Sequence, residues 1–416
     1  MSREPNPGHV TCNGRSYAWP KAPTVVVCLD GSEPGYIERA IEAGRAPFLA
    51  RMLADGANLQ VDSVIPSFTN PNNLSIITGQ PPSVHGIAGN FFFDPATQTE
   101  VMMNDPKFLR APTILAAFHA AGAKVATVTA KDKLRLLLSH GLDYRTGRAI
   151  AFSSEQADKA VLAANGIDDV LGFVGRPLPD VYSAELSAFV LAAGVRLMRT
   201  FQPDLMYLST TDYIQHKVGP GSAVANDFYA MIDAQLAALD AEGAIIVATA
   251  DHGMNDKHDA SGKPNVIYLQ SLFDAWLGRA RARVILPITD PYVVHHGALG
   301  SFATVHVPED ADVAGLLAKL RALAGVDLAL SRAEACRRFE LPADRIGDIV
   351  VTSTRHMTLG TAPDKHDLSG LDEPLRSHGG LTEQRVPMIA NRRLSVAAGR
   401  KLRNFDVFDL GLNCVV

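Results

Sequence analysis

The segment ADHGMNDKHD, from Ala250 to Asp259, directly follows the apolar run AIIVAT from Ala244 to Thr249. An apolar, β-branched run entered by Gly243 and left by an acid and a histidine has the pattern of a buried strand that delivers Asp251 and His252 as metal ligands at its C-terminal end. Two more acids stand in the same relation to an apolar run. Asp30 ends TVVVCLD, and Asp212 follows DLMYLS in TTDYIQH. Asp212 and His216 are four residues apart, so on a helical turn they share a face and can reach a single ion. A DxxxH pair is common by chance, and its place after a strand is what raises its weight. His378 lies in LRSHGGLTEQRV, where Ser377, Gly379 and Gly380 leave its ring uncrowded and suited to ligation from a loop.

Candidates for attack and substrate binding lie between these ligands. In IPSFTNPNNLSIITG, Pro71 suits a first helical position and makes Thr69 or Asn70 the N-cap. The Thr69 hydroxyl then sits where free backbone N–H groups and the helix dipole favour an anion, although a plain capping role is the commoner one. Asn90, in SVHGIAGNFFFD, either donates its amide to a phosphoryl oxygen or takes a turn conformation after Gly89. Lys131 and Lys133 leave the strand KVATVTA; if that tail stays extended, both project to one side, because strand side chains alternate. Two ammonium groups there suit a substrate carboxylate, against the commoner solvated turn. His258, His295 and His296 carry no assigned role.

These residues need strands and helices to position them. Apolar strands are expected at Thr24 to Asp30, Leu59 to Val64, Lys124 to Ala130 and Ala244 to Thr249, with helices in APFLARMLADG, Pro112 to Ala121, 183–201 and 222–241. The fold class is α/β, a mostly parallel central sheet flanked by helices. In a parallel sheet the strand ends carrying Asp30, Asp212 and Asp251 share one edge. That convergence predicts a binuclear site whose oxygen and imidazole donors, without thiolate, suit Zn²⁺ better than Mn²⁺ or Fe²⁺. After residue 265 the texture becomes that of a compact α+β unit with antiparallel strands. The expected division is a core over 1–267 and 346–416, resuming with GDIVVTS, and an inserted cap over 268–345. Residues 1–22 read as a surface arm or small hairpin.

Composition narrows the function classes. The chain has 416 residues, 47% hydrophobic and 20% charged, enough for a large core. Its net charge of -5 argues against nucleic acid as a partner. The 4 cysteines are scattered without CxxC spacing, which fits reduced, mostly buried thiols and a cytoplasmic location. No apolar leader and no membrane-length apolar run is present, so no membrane partner is expected.

The ordered set of Asp30, Thr69, DYIQH, DHG and SHGG covers most of the chain and resembles the alkaline phosphatase superfamily. The resemblance is to the branch that holds the nucleotide pyrophosphatase/phosphodiesterases and the phosphonoacetate hydrolases. VCLDGSEP, the threonine of PSFTNPNN, GIAGNFF and the lysine pair of AKDKLR are most similar to the second group. The resemblance implies two Zn²⁺ ions per chain, one gathered by Asp30, Thr69, Asp251 and His252, the other by Asp212, His216 and His378. It further implies that Thr69 is the nucleophile, that Asn90 contacts the phosphoryl group, and that Lys131 and Lys133 contact a substrate carboxylate. The implied activity is hydrolysis of the C–P bond of phosphonoacetate, a small-molecule phosphonate, to acetate and phosphate, and a homodimer is compatible with it. Two alternatives remain: a phosphodiesterase or pyrophosphatase, which should carry an aromatic or apolar nucleotide slot, and a non-catalytic metal- or phosphonate-binding protein.

Overall fold

The structure, a computed structural model, describes residues 8–289, 298–369, 371 and 373–416. His295 and His296 lie outside the described residues. In chain order the main strands are β1 (Thr24–Cys28), β2 (Ala57–Asp62), β3 (Val125–Thr129), β4 (Ala149–Ser153), β5 (Leu205–Ser209) and β6 (Ile245–Thr249), followed by β7 (Arg283–Ile285), β8 (Phe302–His306), β9 (Val326–Ser331), β10 (Ile349–Ser353) and β11 (Arg385–Ala390). The central sheet has the order β2-β11-β6-β1-β5-β3-β4. From β6 to β4 every neighbouring pair is parallel, whereas β11 runs antiparallel to both β6 and β2.

Every residue of the five parallel strands is buried, as a mostly apolar run covered on both faces must be. One face packs on helices Pro34–Glu42, Pro47–Asp55, Glu185–Thr200 and Ala223–Ala241, with Val25 and Val27 of β1 pointing to it. Val26 and Cys28 point to the other face, against helices Thr69–Thr78, Ile114–Ala120, Asp132–Leu138 and Val407–Asn413. The N-terminal residues form a hairpin, His9–Cys12 with Arg15–Ala18. All four cysteines are free, with Cys12 and Cys28 buried. No helix among the described residues is long and apolar enough to cross a membrane.

Strands β7 to β10 form a second, fully antiparallel sheet of order β7-β8-β10-β9, covered by helices Leu269–Leu277, Val313–Arg321 and Arg332–Phe339 around a separate apolar core. Strand β10 was expected in the resumed core, but it lies between β8 and β9 of this small sheet. IVVTS is buried throughout and would fill a central position in either sheet, so its partners rather than its pattern decide its place. Val266–Tyr268 then pairs in parallel with Thr358–Gly360, which joins the entry and exit of the unit.

Two local expectations also change. Phe68, in an extended conformation, caps the helix Thr69–Thr78, so Thr69 is its first residue rather than its cap. Lys131 is the extended residue before helix Asp132–Leu138, so the expected extended tail ends there and Lys133 belongs to the first turn.

Candidate active site

The sheet register explains how remote acids meet. Cys28 of β1 is directly opposite Thr249 of β6 and Ser209 of β5. Asp30 and Asp251 each lie two residues beyond this level, and Asp212 lies three beyond it, so all three leave the same edge. Asp212 opens the short helix Tyr213–Lys217, which carries His216 back over the edge. Gly31 makes the close approach possible: it adopts φ +69°, and a Cβ there would stand 2.7 Å from the Asp212 Cβ. Gly379 does the same beside His378, at φ +124° and packed against the Phe68 ring.

The side chains meet in two overlapping groups, Asp212 with His216 and His378, and Asp30 with Asp212 and His252. His216 Nε2 is 3.0 Å from Asp212 Oδ2, and His378 Nε2 is 3.9 Å from the same oxygen. His252 Nε2 is 3.3 Å from Asp30 Oδ1, 3.9 Å from Asp251 Oδ2 and 3.4 Å from the Thr69 hydroxyl. All of these ligand candidates are buried except Thr69, which is half-buried.

The imidazole tautomers follow from the backbone. Nδ1–H of His252 donates to the Gly253 carbonyl at 3.0 Å, that of His216 to the Arg376 carbonyl at 3.1 Å, and that of His378 to the Ser67 carbonyl at 2.7 Å. A carbonyl only accepts, so Nδ1 of each ring carries a proton and Nε2 is turned toward the acids. The Nε2 atoms therefore converge on carboxylate oxygens, and Asp30 Oδ1 is buried without a hydrogen-bond partner. Cations fit such a donor set, and the carbonyl bonds are those that orient metal-binding histidines. Burial, followed by the charges of Asp212 and Asp251, pushes the Asp30 carboxyl well above the usual range. Burial and then His252 hold His378 well below the usual imidazole range.

In front of this cluster lies a cleft of about 310 Å³ whose wall includes Asp30, Thr69, Asn90, Lys131, Lys133, Asp212, His216 and His378. Asp251 and His252, with no exposed surface, sit behind it. Lys131 is half-buried and Lys133 is exposed at the mouth. Asn90 is held against Thr289, with Nδ2 2.6 Å from the Thr289 hydroxyl. His258 is on the surface, bonded to the Asp259 carbonyl.

A sequence model of the type I phosphodiesterase / nucleotide pyrophosphatase family matches residues 24–381. A crystal structure of phosphonoacetate hydrolase from Sinorhizobium meliloti 1021, in complex with phosphonoacetate, is 60% identical, covers 100% of both chains and superposes with a TM-score of 0.95. The chain belongs to the phosphonoacetate hydrolase family. The same Sinorhizobium protein has also been solved with phosphonoformate. An uncharacterized pyrophosphatase/phosphodiesterase of Schizosaccharomyces pombe is 35% identical over 92 residues, which is 21% of this chain and 18% of that protein. The alkaline phosphatase PafA shares the fold at 16% identity, with a TM-score of 0.63, over 95% of this chain and 96% of its own. The phosphonoacetate hydrolase family member is thus a hydrolase with an alkaline phosphatase-like core.

The family member also uses residues that the motifs did not single out. Asn73 donates to the Thr69 carbonyl and to Asp251 Oδ2, both at 3.0 Å, and accepts from the Tyr207 hydroxyl at 2.7 Å and the Ser209 hydroxyl at 2.9 Å. It thereby ties the Thr69 helix to β5 and to the Asp251 carboxylate. The one available signal was its place four residues after Thr69, on the same helix face. Glu155 and Tyr182 line the cleft from loops that carry no recognisable motif.

Proposed function

We propose that the chain hydrolyses the C–P bond of phosphonoacetate to acetate and phosphate, with Thr69 as nucleophile and two Zn²⁺ ions as cofactors. The observation that carries this reading is that Lys131 and Lys133 line the same cleft as the half-buried Thr69, beside the cluster of acids and imidazoles. The phosphonoacetate held by the Sinorhizobium protein supports it from outside the chain.

In this reading Asp30, Thr69, Asp251 and His252 hold one ion, and Asp212, His216 and His378 hold the other. Bound there, the ions supply Lewis acidity toward the phosphonate oxygens and lower the pKa of the Thr69 hydroxyl. Asn90 grips a phosphoryl oxygen, and the lysines hold the carboxylate end. Thr69 Oγ attacks phosphorus, the P–C bond breaks, and its electron pair passes to carbon. An isolated carbanion is too basic to leave, but a carbon next to a carboxylate departs as an ene-diolate if cations balance its charge. Lys131 and Lys133 supply that balance, aimed at charge that develops only as the bond breaks. The proton released from the Thr69 hydroxyl passes to solvent, and one taken from solvent at carbon gives acetate. Water then hydrolyses the phosphothreonine, which frees phosphate and restores Thr69. The unit built on the antiparallel β7-β8-β10-β9 sheet acts as a cap over the cleft, to which Thr289 contributes.

Phosphate release from phosphonoacetate, compared with cleavage of bis(p-nitrophenyl) phosphate, tests the reading. Turnover of the phosphonate is expected to dominate. Cleavage of the diester alone would favour a phosphodiesterase, and no turnover of either a binding protein.

A further inference from the structure

Behind the cluster, Lys257 and Glu383 form an ion pair with Nζ and Oε1 2.9 Å apart, and neither side chain has any exposed surface. Such a pair repays the desolvation of its charges poorly, and apolar packing in its place is often as stable. Its value must lie elsewhere.

The hydrogen bonds show where. Glu383 Oε1 accepts from Lys257 Nζ at 2.9 Å, Asn255 Nδ2 at 2.7 Å and the Thr382 hydroxyl at 2.5 Å, while Oε2 accepts from the Gly380 N–H at 3.0 Å. The Glu383 carbonyl accepts from the Gly253 N–H at 2.7 Å, and Lys257 Nζ also donates to the Arg355 carbonyl at 2.7 Å. One side-chain pair therefore joins three segments: 251–257 with Asp251 and His252, 378–383 with His378, and the turn that follows β10. Across this joint the His252 and His378 rings lie 3.6 Å apart.

We propose that the Lys257–Glu383 pair is a positioning element that sets the separation of His252 and His378, and with it the spacing of the two metal positions. The proposal rests on the binuclear reading above. The charge matters as well as the shape, because an amide in place of the carboxylate would turn a donor toward the Gly380 N–H or lose the acceptor shared by Asn255 and Lys257.

Zinc affinity, measured by chelator competition against metal-free protein, and the melting temperature of that metal-free protein together test the proposal. Wild type should take up two equivalents; failure there would sink the binuclear reading itself, before the pair is considered. Lys257→Met/Glu383→Gln removes both charges, so the metal-free melting temperature should stay near wild type while zinc affinity falls about 10- to 100-fold. Wild-type zinc affinity in the double variant would overturn the proposal and leave the pair a purely structural feature. Should the double variant not fold, Glu383→Asp keeps the charge opposite Lys257 but withdraws the carboxylate by one methylene: a loss of at least about 10-fold in zinc affinity is expected, and undiminished affinity rejects the positioning role.

Discussion

His252 and His378 stack face to face, their ring centroids 3.6 Å apart and their planes 5° from parallel, although the whole four-stranded sheet separates them in sequence. Each ring is fixed by a main-chain carbonyl, Gly253 for one and Ser67 for the other. Both Nε2 atoms are therefore aimed before any ion arrives, and the acids around them are held at a cost that a cation would relieve.

Zinc should therefore stabilise the metal-free protein markedly. At free zinc about 100 times the dissociation constant, linkage adds about 2.7 kcal/mol per site. Thermal melts with and without zinc should show the rise, and His378→Ala should remove part of it. An unchanged melting temperature would argue against a metal centre.

Thr69→Ala should lower phosphate release from phosphonoacetate by about 10³-fold or more, since a nucleophile is lost outright. Zinc content, measured on the same preparation, should stay close to wild type because the acids and imidazoles remain. A fully active variant would mean that another nucleophile attacks phosphorus.

Lys131→Ala should cost about 100-fold on phosphonoacetate, a loss on the scale of removing one transition-state donor. Cleavage of bis(p-nitrophenyl) phosphate, which has no carboxylate, should change far less. The half-buried Lys131 is expected to matter more than the exposed Lys133. Equal losses on both substrates would reject the carboxylate-binding role.

Acid should destabilise the fold through His85. Its Nδ1 accepts from the Ile87 N–H at 3.1 Å and its Nε2 lies 2.9 Å from the Ser75 hydroxyl, so the ring must be neutral. Burial, followed by the Arg345 charge, lowers its pKa to about 3. The unfolded chain takes up this proton below about pH 6.5 and the native chain does not, so the stability is present above that pH and is lost as pH falls toward 3. Between pH 7 and pH 5 the loss is about 2 kcal/mol. Urea unfolding at both values should show a smaller difference in His85→Gln; an equal difference would place the proton elsewhere.

Much of the site was legible because a parallel sheet turns sequence into geometry. Apolar runs that end in Asp30, Asp212 and Asp251 could only place those acids on one edge, and the four-residue spacing of Asp212 and His216 could only bring them together on a helical turn. Less legible were features that depend on where a neighbouring segment lies. Pro71 points to Thr69 or Asn70 as the cap, but a helix start is hard to place to within one residue, and Phe68 takes that position. Lys131 and Lys133 reach the cleft from a helix start rather than an extended tail, which strand alternation did not anticipate.

Sequence alone determined the strand-end acids, the paired histidine and the α/β class, because each follows from short-range periodicity and from residue types that have few other uses at a strand exit. Only the tertiary structure decided the sheet that receives β10, the carbonyls that set each imidazole proton, the Asn73 bonds to Thr69 and Asp251, and the Lys257–Glu383 joint. Those depend on register and packing between segments far apart in the chain, where local patterns carry no record of the partner.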